Sequence, residues 1–81
     1  MRLDKFLKVS RVIKRRTVAN EACDSGRVMI NGRIAKASSN VKCGDIVEIK
    51  FGEKIVKFEI TRVDEIIKKE EASEMFKIIE E

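Results

Sequence analysis

The hydrophobic period of this chain changes at Gly26. Upstream, apolar residues recur at helical spacing; downstream, they alternate. In residues 3–14, LDKFLKVSRVIK, a rotation of about 100° per residue gathers Leu3, Phe6, Val9 and Ile13 on one side. This predicts a helix, with a break expected near Ser10. A second helix is predicted over residues 17–25, with Val18, Ala19, Ala22 and Cys23 as a small-residue apolar face. Gly26 then fits the left-handed position that follows a helix C-terminus.

After Gly26, residues 27–30 read as a strand, and Asn31-Gly32 is the strongest short hairpin signal in the chain. A type I′ turn needs positive φ at both central positions, which Asn and Gly tolerate. Residues 33–36 are the expected return strand. Gly44-Asp45 and Gly52-Glu53 mark further turns. Residues 46–51 place Val47, Ile49 and Phe51 on one face, and residues 54–63 place Val56, Phe58 and Ile60 on one face. In the tail, Ala72, Met75, Phe76 and Ile79 fall at i, i+3, i+4 and i+7, predicting a helix over residues 69–80 that packs back on the sheet. The fold class is α+β: two N-terminal helices packed on a small antiparallel sheet, plus a C-terminal helix.

Eighty-one residues allow one domain with a thin core. Charged residues make up 40% of the chain, which suits a surface that meets a polyelectrolyte. The charge is unevenly placed. Residues 1–36 hold ten Lys/Arg against three Asp/Glu, while residues 37–81 hold eight against eleven. A basic front half attracts phosphate by releasing condensed counterions; an acidic back half limits how far a nucleic acid can wrap. A single docking face is expected. An ordinary solvated basic face accounts for the charge alone equally well.

Other chemistries find few residues. There is no histidine for proton transfer near neutral pH, and Cys23 and Cys43 cannot supply the four ligands of a structural zinc site. No metal, cofactor or catalytic activity is expected. The two cysteines are expected as free thiols. All four aromatics are Phe, too few for a base-stacking platform. No apolar run reaches the length of a signal core or membrane span, so a cytoplasmic chain without a membrane partner is expected.

Read as a helical stripe, Lys5, Lys8, Arg11 and Arg15 lie on the side opposite the core residues, with Arg2 and Arg16 near its ends and Lys14 beside it. Arg favours phosphate because its planar fork donates two bonds at once. Asp4, in the first turn, suits the helix dipole and pairs with a nearby Arg.

Several segments then resemble a known family. Arg2-Leu3-Asp4-Lys5-Phe6-Leu7, Lys14 to Ala19, Gly26-Arg27-Val28, Ile30-Asn31-Gly32 and Gly44-Asp45 follow the order and spacing of the S-four RNA-binding domain, which carries the α-L motif. The resemblance covers residues 1–63, leaving residues 64–81 as a C-terminal extension with a helix. Each piece is common alone; five in order are specific. The start MRLDKFLKVSRVIKRR and the tail KKEEASEMFKI look most like the short members acting in bacterial ribosome-associated quality control, and more distantly like the fifteen-kilodalton heat-shock protein.

That resemblance implies a non-catalytic monomer on the large ribosomal subunit, touching 23S rRNA and P-site peptidyl-tRNA. It also implies RqcH as partner and support of C-terminal alanine tailing. From the cationic stripe and its phosphate chemistry, the residues expected to bind RNA are Arg2, Lys5, Lys8, Arg11, Lys14, Arg15 and Arg16, with Arg27, Asn31 and Lys36 extending the face. Arg16 stands at the family's Thr-Arg arginine and is the first choice; a salt bridge to Asp4 is its structural alternative. Asn31 equally fits turn chemistry alone. Two positions depart from the family pattern: Arg15 replaces a common Thr, so Thr17 is expected to cap the second helix, and Cys43 replaces a common Pro.

Other readings remain open at this point. They are a stress-response RNA chaperone or ribosome assembly factor, a helix-turn-helix DNA binder, and an adaptor working through the acidic tail.

Overall fold

The computed structural model describes residues 1–79. Its elements are α1 (Leu3–Val9), α2 (Arg16–Asp24), β1 (Val28–Ile30), β2 (Arg33–Ile34), β3 (Ile46–Phe51), β4 (Lys54–Ile60), a 3₁₀ helix (Lys69–Met75) and β5 (Phe76–Ile78). The five strands form one antiparallel sheet in the order β2-β1-β3-β4-β5. The α+β class read from the sequence stands.

The core lies between the helices and one face of the sheet. Val28 pairs with Ile49, and Val47 with Phe58. All four are fully buried, together with Leu3, Phe6 and Leu7 of α1, Ala19 and Cys23 of α2, and Ile60. Phe6 stacks on Phe58 with ring centroids 6.2 Å apart, tying α1 directly to β4. Small side chains on α2 let it lie close to α1, as the run Ala19, Ala22, Cys23 predicted.

Local chemistry sets the boundaries. The first helix stops at Val9. Ser10 Oγ donates to the Leu7 carbonyl (3.3 Å), and Arg11 takes φ 63°, which turns the chain away from the helix axis. The predicted break near Ser10 is therefore complete, and residues 11–14 are not helical. Asn31 and Gly32 both have positive φ (51° and 83°), as the hairpin reading requires. Neither helix carries a side-chain N-cap. Arg15, not Thr17, occupies the cap position of α2, which corrects the capping expectation. At α1 the loop after β2 does the capping instead: Leu3 N–H donates to the Ser39 carbonyl (2.7 Å) and Asp4 N–H to that of Ala37 (3.2 Å).

The tail departs from the predicted helix over residues 69–80. Residues 69–75 form a 3₁₀ helix, in which the i, i+3 pair Ala72 and Met75 falls on one buried side. Phe76 then turns extended (φ −149°, ψ 159°) and pairs with Ile60, while Ile78 pairs with Phe58. The cause is tertiary. The outer edge of β4 carries free N–H and C=O groups, and pairing them outweighs a short helix's weak propensity. Phe76 also packs on Phe58 at 5.2 Å. Glu80, the last residue of the predicted helix, lies outside the described residues.

Candidate nucleic-acid interface

The cations predicted as one helical stripe are divided by the structure into separate groups. The first is organised by Asp4. Its carboxylate is almost wholly buried and accepts from Arg2 Nε (3.1 Å), Asn20 Nδ2 (3.3 Å), Arg16 Nε (3.5 Å) and the Lys5 N–H (2.8 Å). Burial alone would raise the carboxyl's pKa. The hydrogen bonds from Asn20, Arg2, Arg16 and the Lys5 backbone outweigh it and hold the group below the usual carboxylate range. Both arginines keep about half their side chain exposed, 49% for Arg2 and 48% for Arg16. The salt bridge foreseen for Arg16 is thus present, and its guanidinium still reaches solvent. Arg2 spends Nε and Nη2 on the two Asp4 oxygens, whereas Arg16 is held through Nε alone, which leaves its terminal N–H groups to donate to a phosphate.

The second group lines a groove of about 410 Å³ between the end of α1 and the segment leading to the 3₁₀ helix. Lys8, Arg11 and Lys14 form one wall; Glu65, Ile66, Ile67, Lys68 and Lys69 form the other. The charged side chains on both walls are exposed, so water reaches the groove. Arg11 reaches it from a left-handed backbone rather than from a helix. The sequence reading missed Lys68 and Lys69. Averaging over the acidic back half hid them, although the Lys68-Lys69 pair itself was a visible signal.

The acidic half meets this surface at one ion pair among the described residues. Glu65 lies 3.6 Å from Lys5, which is half-buried. Asp64, Glu71 and Glu74 instead converge on Arg62, whose Nη1 donates to Glu71 and Glu74 at 3.0 Å each while its Nε pairs with Asp64.

The remaining candidates are scattered. Arg15 is exposed at the α2 N-terminus without an ion pair among the described residues. Arg27 sits apart, beside Lys50, Val18 and Phe51. Lys36 is exposed on the loop after β2. Asn31 is engaged within the fold. Its Nδ2 donates to Asp45 Oδ1 (3.1 Å), and its Oδ1 accepts from the Ile46 N–H (2.9 Å). Asp45 is buried and also accepts from the Lys42 N–H (2.9 Å), so the β1–β2 turn is locked to the turn before β3. The amide thus serves the turn, one of the two roles expected for Asn31, and the residue stays exposed.

Cys23 is buried and Cys43 exposed, and both are free. Burial, with Asp4 and Asp24 nearby, pushes the Cys23 thiol up to about 11, so it stays protonated near neutral pH. Among the described residues, no three His, Cys, Asp or Glu side chains group to hold a metal, and no helix is long and apolar enough to cross a membrane.

Comparison with known proteins agrees with this geometry. Residues 1–47 match the S4 domain model. A Halalkalibacterium halodurans protein named RQC P-site tRNA stabilizing factor is 57% identical over 81 residues, covering 100% of this chain and 92% of its own length. Its Bacillus subtilis namesake is 56% identical, covering 100% and 94%. The trimeric structure of Vibrio cholerae heat shock protein 15 superposes with a TM-score of 0.88 at 28% identity, over 98% of this chain and 81% of that one. The relatives are named as stabilizing factors and not as enzymes. With its two-helix basic corner, its Asn-Gly hairpin and its full-length similarity to those factors, the chain belongs to the S4 domain family.

Proposed function

We propose that this protein is a non-catalytic RNA-binding factor of ribosome-associated quality control. It binds the large ribosomal subunit, contacting 23S rRNA and the P-site peptidyl-tRNA, and so supports C-terminal alanine tailing of stalled chains together with RqcH. Residues 1–63 act as the RNA-binding unit and residues 64–81 as an extension, in a cytoplasmic monomer. The observation that carries this reading is the Asp4 cluster, where one buried carboxylate holds Arg2 and Arg16 together while half of each remains exposed. The relatives' printed names supply the context of P-site tRNA.

Lys8, Arg11, Lys14 and Arg15 add exposed charge without ion pairs among the described residues. Recognition of folded RNA proceeds through phosphate, 2′-hydroxyl and shape, which such a surface can serve. Five to seven phosphate contacts give a slope of log K against log salt of about −3.5 to −6. The test is sedimentation of the purified protein with large subunits carrying peptidyl-tRNA, over a salt series. Co-migration with that slope is expected. Association that ignores salt, or failure to co-migrate, overturns the reading.

A further inference from the structure

The groove behind α1 is assembled from two ends of the chain. Lys8, Arg11 and Lys14 come from the N-terminal region, and Lys68 and Lys69 from the C-terminal segment. Five cations thus face a single carboxylate, Glu65, which itself lies 3.6 Å from Lys5. None of the five has an ion pair among the described residues. The same segment carries acids: Asp64, Glu71 and Glu74 are drawn to Arg62, and neither Glu65, which pairs with Lys5, nor the exposed Glu70 forms an ion pair with Lys68 or Lys69 among the described residues. Like charges from distant parts of a chain repel when brought together; a bound polyanion relieves that repulsion.

We propose that this groove is a second RNA contact, one that grips the backbone of a looped or bulged strand, with Lys68 and Lys69 as phosphate-binding residues. It rests on the RNA-binding reading and extends it to a segment outside the S4-matched residues. Two further observations support it. Arg11 holds φ 63°, a left-handed conformation unfavourable for an arginine, and that turn places its side chain along the groove. Ile66 lines the same groove and is 94% exposed, while its neighbour Ile67 is anchored against the core. A regular duplex backbone offers nothing to an exposed isoleucine; an unstacked base or ribose face does. RNA is favoured over an acidic protein because the groove combines spaced cations with one apolar contact.

The test uses the full chain and two labelled RNAs of equal length, a bulged stem-loop and a blunt duplex. The variant Lys68→Gln/Lys69→Gln is compared with Arg33→Gln/Lys54→Gln, which removes the same charge from exposed positions outside the groove. The groove pair should weaken stem-loop binding on the order of tenfold at about 0.1 M salt, and flatten the salt slope by about 1.4 to 1.8. The control pair should change both far less. Ile66→Ser should erase the preference for stem-loop over duplex. Unchanged melting curves exclude unfolding as the cause. Equal losses from the two pairs overturn the groove and leave the functional reading standing. So does an acidic peptide that binds the groove as tightly as the stem-loop. If the unmodified chain binds neither RNA nor large subunits, the functional reading falls as well. Retained preference in Ile66→Ser overturns the looped-strand assignment.

Discussion

Arg16 Nε lies 3.5 Å from Asp4 Oδ2, so the arginine expected to face RNA is steered by a carboxylate buried in the first turn of α1. The two stand twelve positions apart in the chain. The contact makes Asp4 a positioning group and lets its role be separated from its charge.

Asp4→Asn removes one negative charge from a protein that binds a polyanion. On charge alone, affinity for RNA should rise. If Asp4 positions Arg2 and Arg16, affinity falls instead, because the guanidinium groups lose their shared acceptor. We expect a fall, with a stability loss of about 1–3 kcal/mol from the donors left without a charged partner. Binding titrations and chemical denaturation read the two effects. Arg16→Ala should weaken binding while the fold persists.

The pH dependence of stability follows from the same carboxyl. Its folded pKa lies below its unfolded value, so its contribution is complete above the usual carboxylate value of 3.8 and is lost as pH falls through the folded value. Acid denaturation of Asp4→Asn should lack that component. The stability gap between this variant and the unmodified chain should be full above about pH 4 and narrow progressively below it.

Arg11→Gly should move stability and binding in opposite directions. Glycine accepts φ 63° without strain, so the fold should gain on the order of 1 kcal/mol. RNA affinity should fall, because a groove cation is gone. Thermal melting and RNA titration of one variant give both signs. A loss of stability would mean the Arg11 side chain holds the fold.

Asn31 should behave as a turn residue. Asn31→Gly keeps the backbone conformation and removes the bonds to Asp45 and Ile46, at a cost of about 1–3 kcal/mol. Asn31→Ala adds a left-handed penalty of about 1 kcal/mol more. Neither should change the salt slope of RNA binding. A shallower slope in Asn31→Gly would return this residue to the interface.

The cysteines should separate by reactivity. Cys43 is exposed and should be labelled by a thiol reagent in the native state. Cys23, fully buried with its thiol pushed up to about 11, should react only on unfolding. Mass spectrometry before and after denaturation reads this directly.

Much of the architecture was legible because local signals agreed. Asn31-Gly32 can close a hairpin in few other ways, and the spacing of Leu3 and Phe6 fixed the buried side of α1. The tail was misread past Met75 because residues 72–79 satisfy a helical period, while the edge of β4, which claims Phe76 to Ile78, is invisible to a local pattern. The stripe of cations failed for a related reason. Its geometry assumed a helix through Arg15, but the chain leaves the helix at Ser10 and turns at Arg11. Asp4's pairing with arginine was readable from its position; the number of donors it collects, Asn20 included, was not. Lys68 and Lys69 join the basic surface only through folding, which brings residues far apart in the chain to one groove.

The short final strand has a consequence for pairing between copies. By occupying the flank of β4, it places the two longest strands, β3 and β4, inside the sheet and leaves borders of only two and three residues at β2 and β5. Strands that brief offer another copy little main-chain template to pair with. Ile34 and Ile78, uncovered along those borders, therefore sit on segments too brief to recruit a long partner strand.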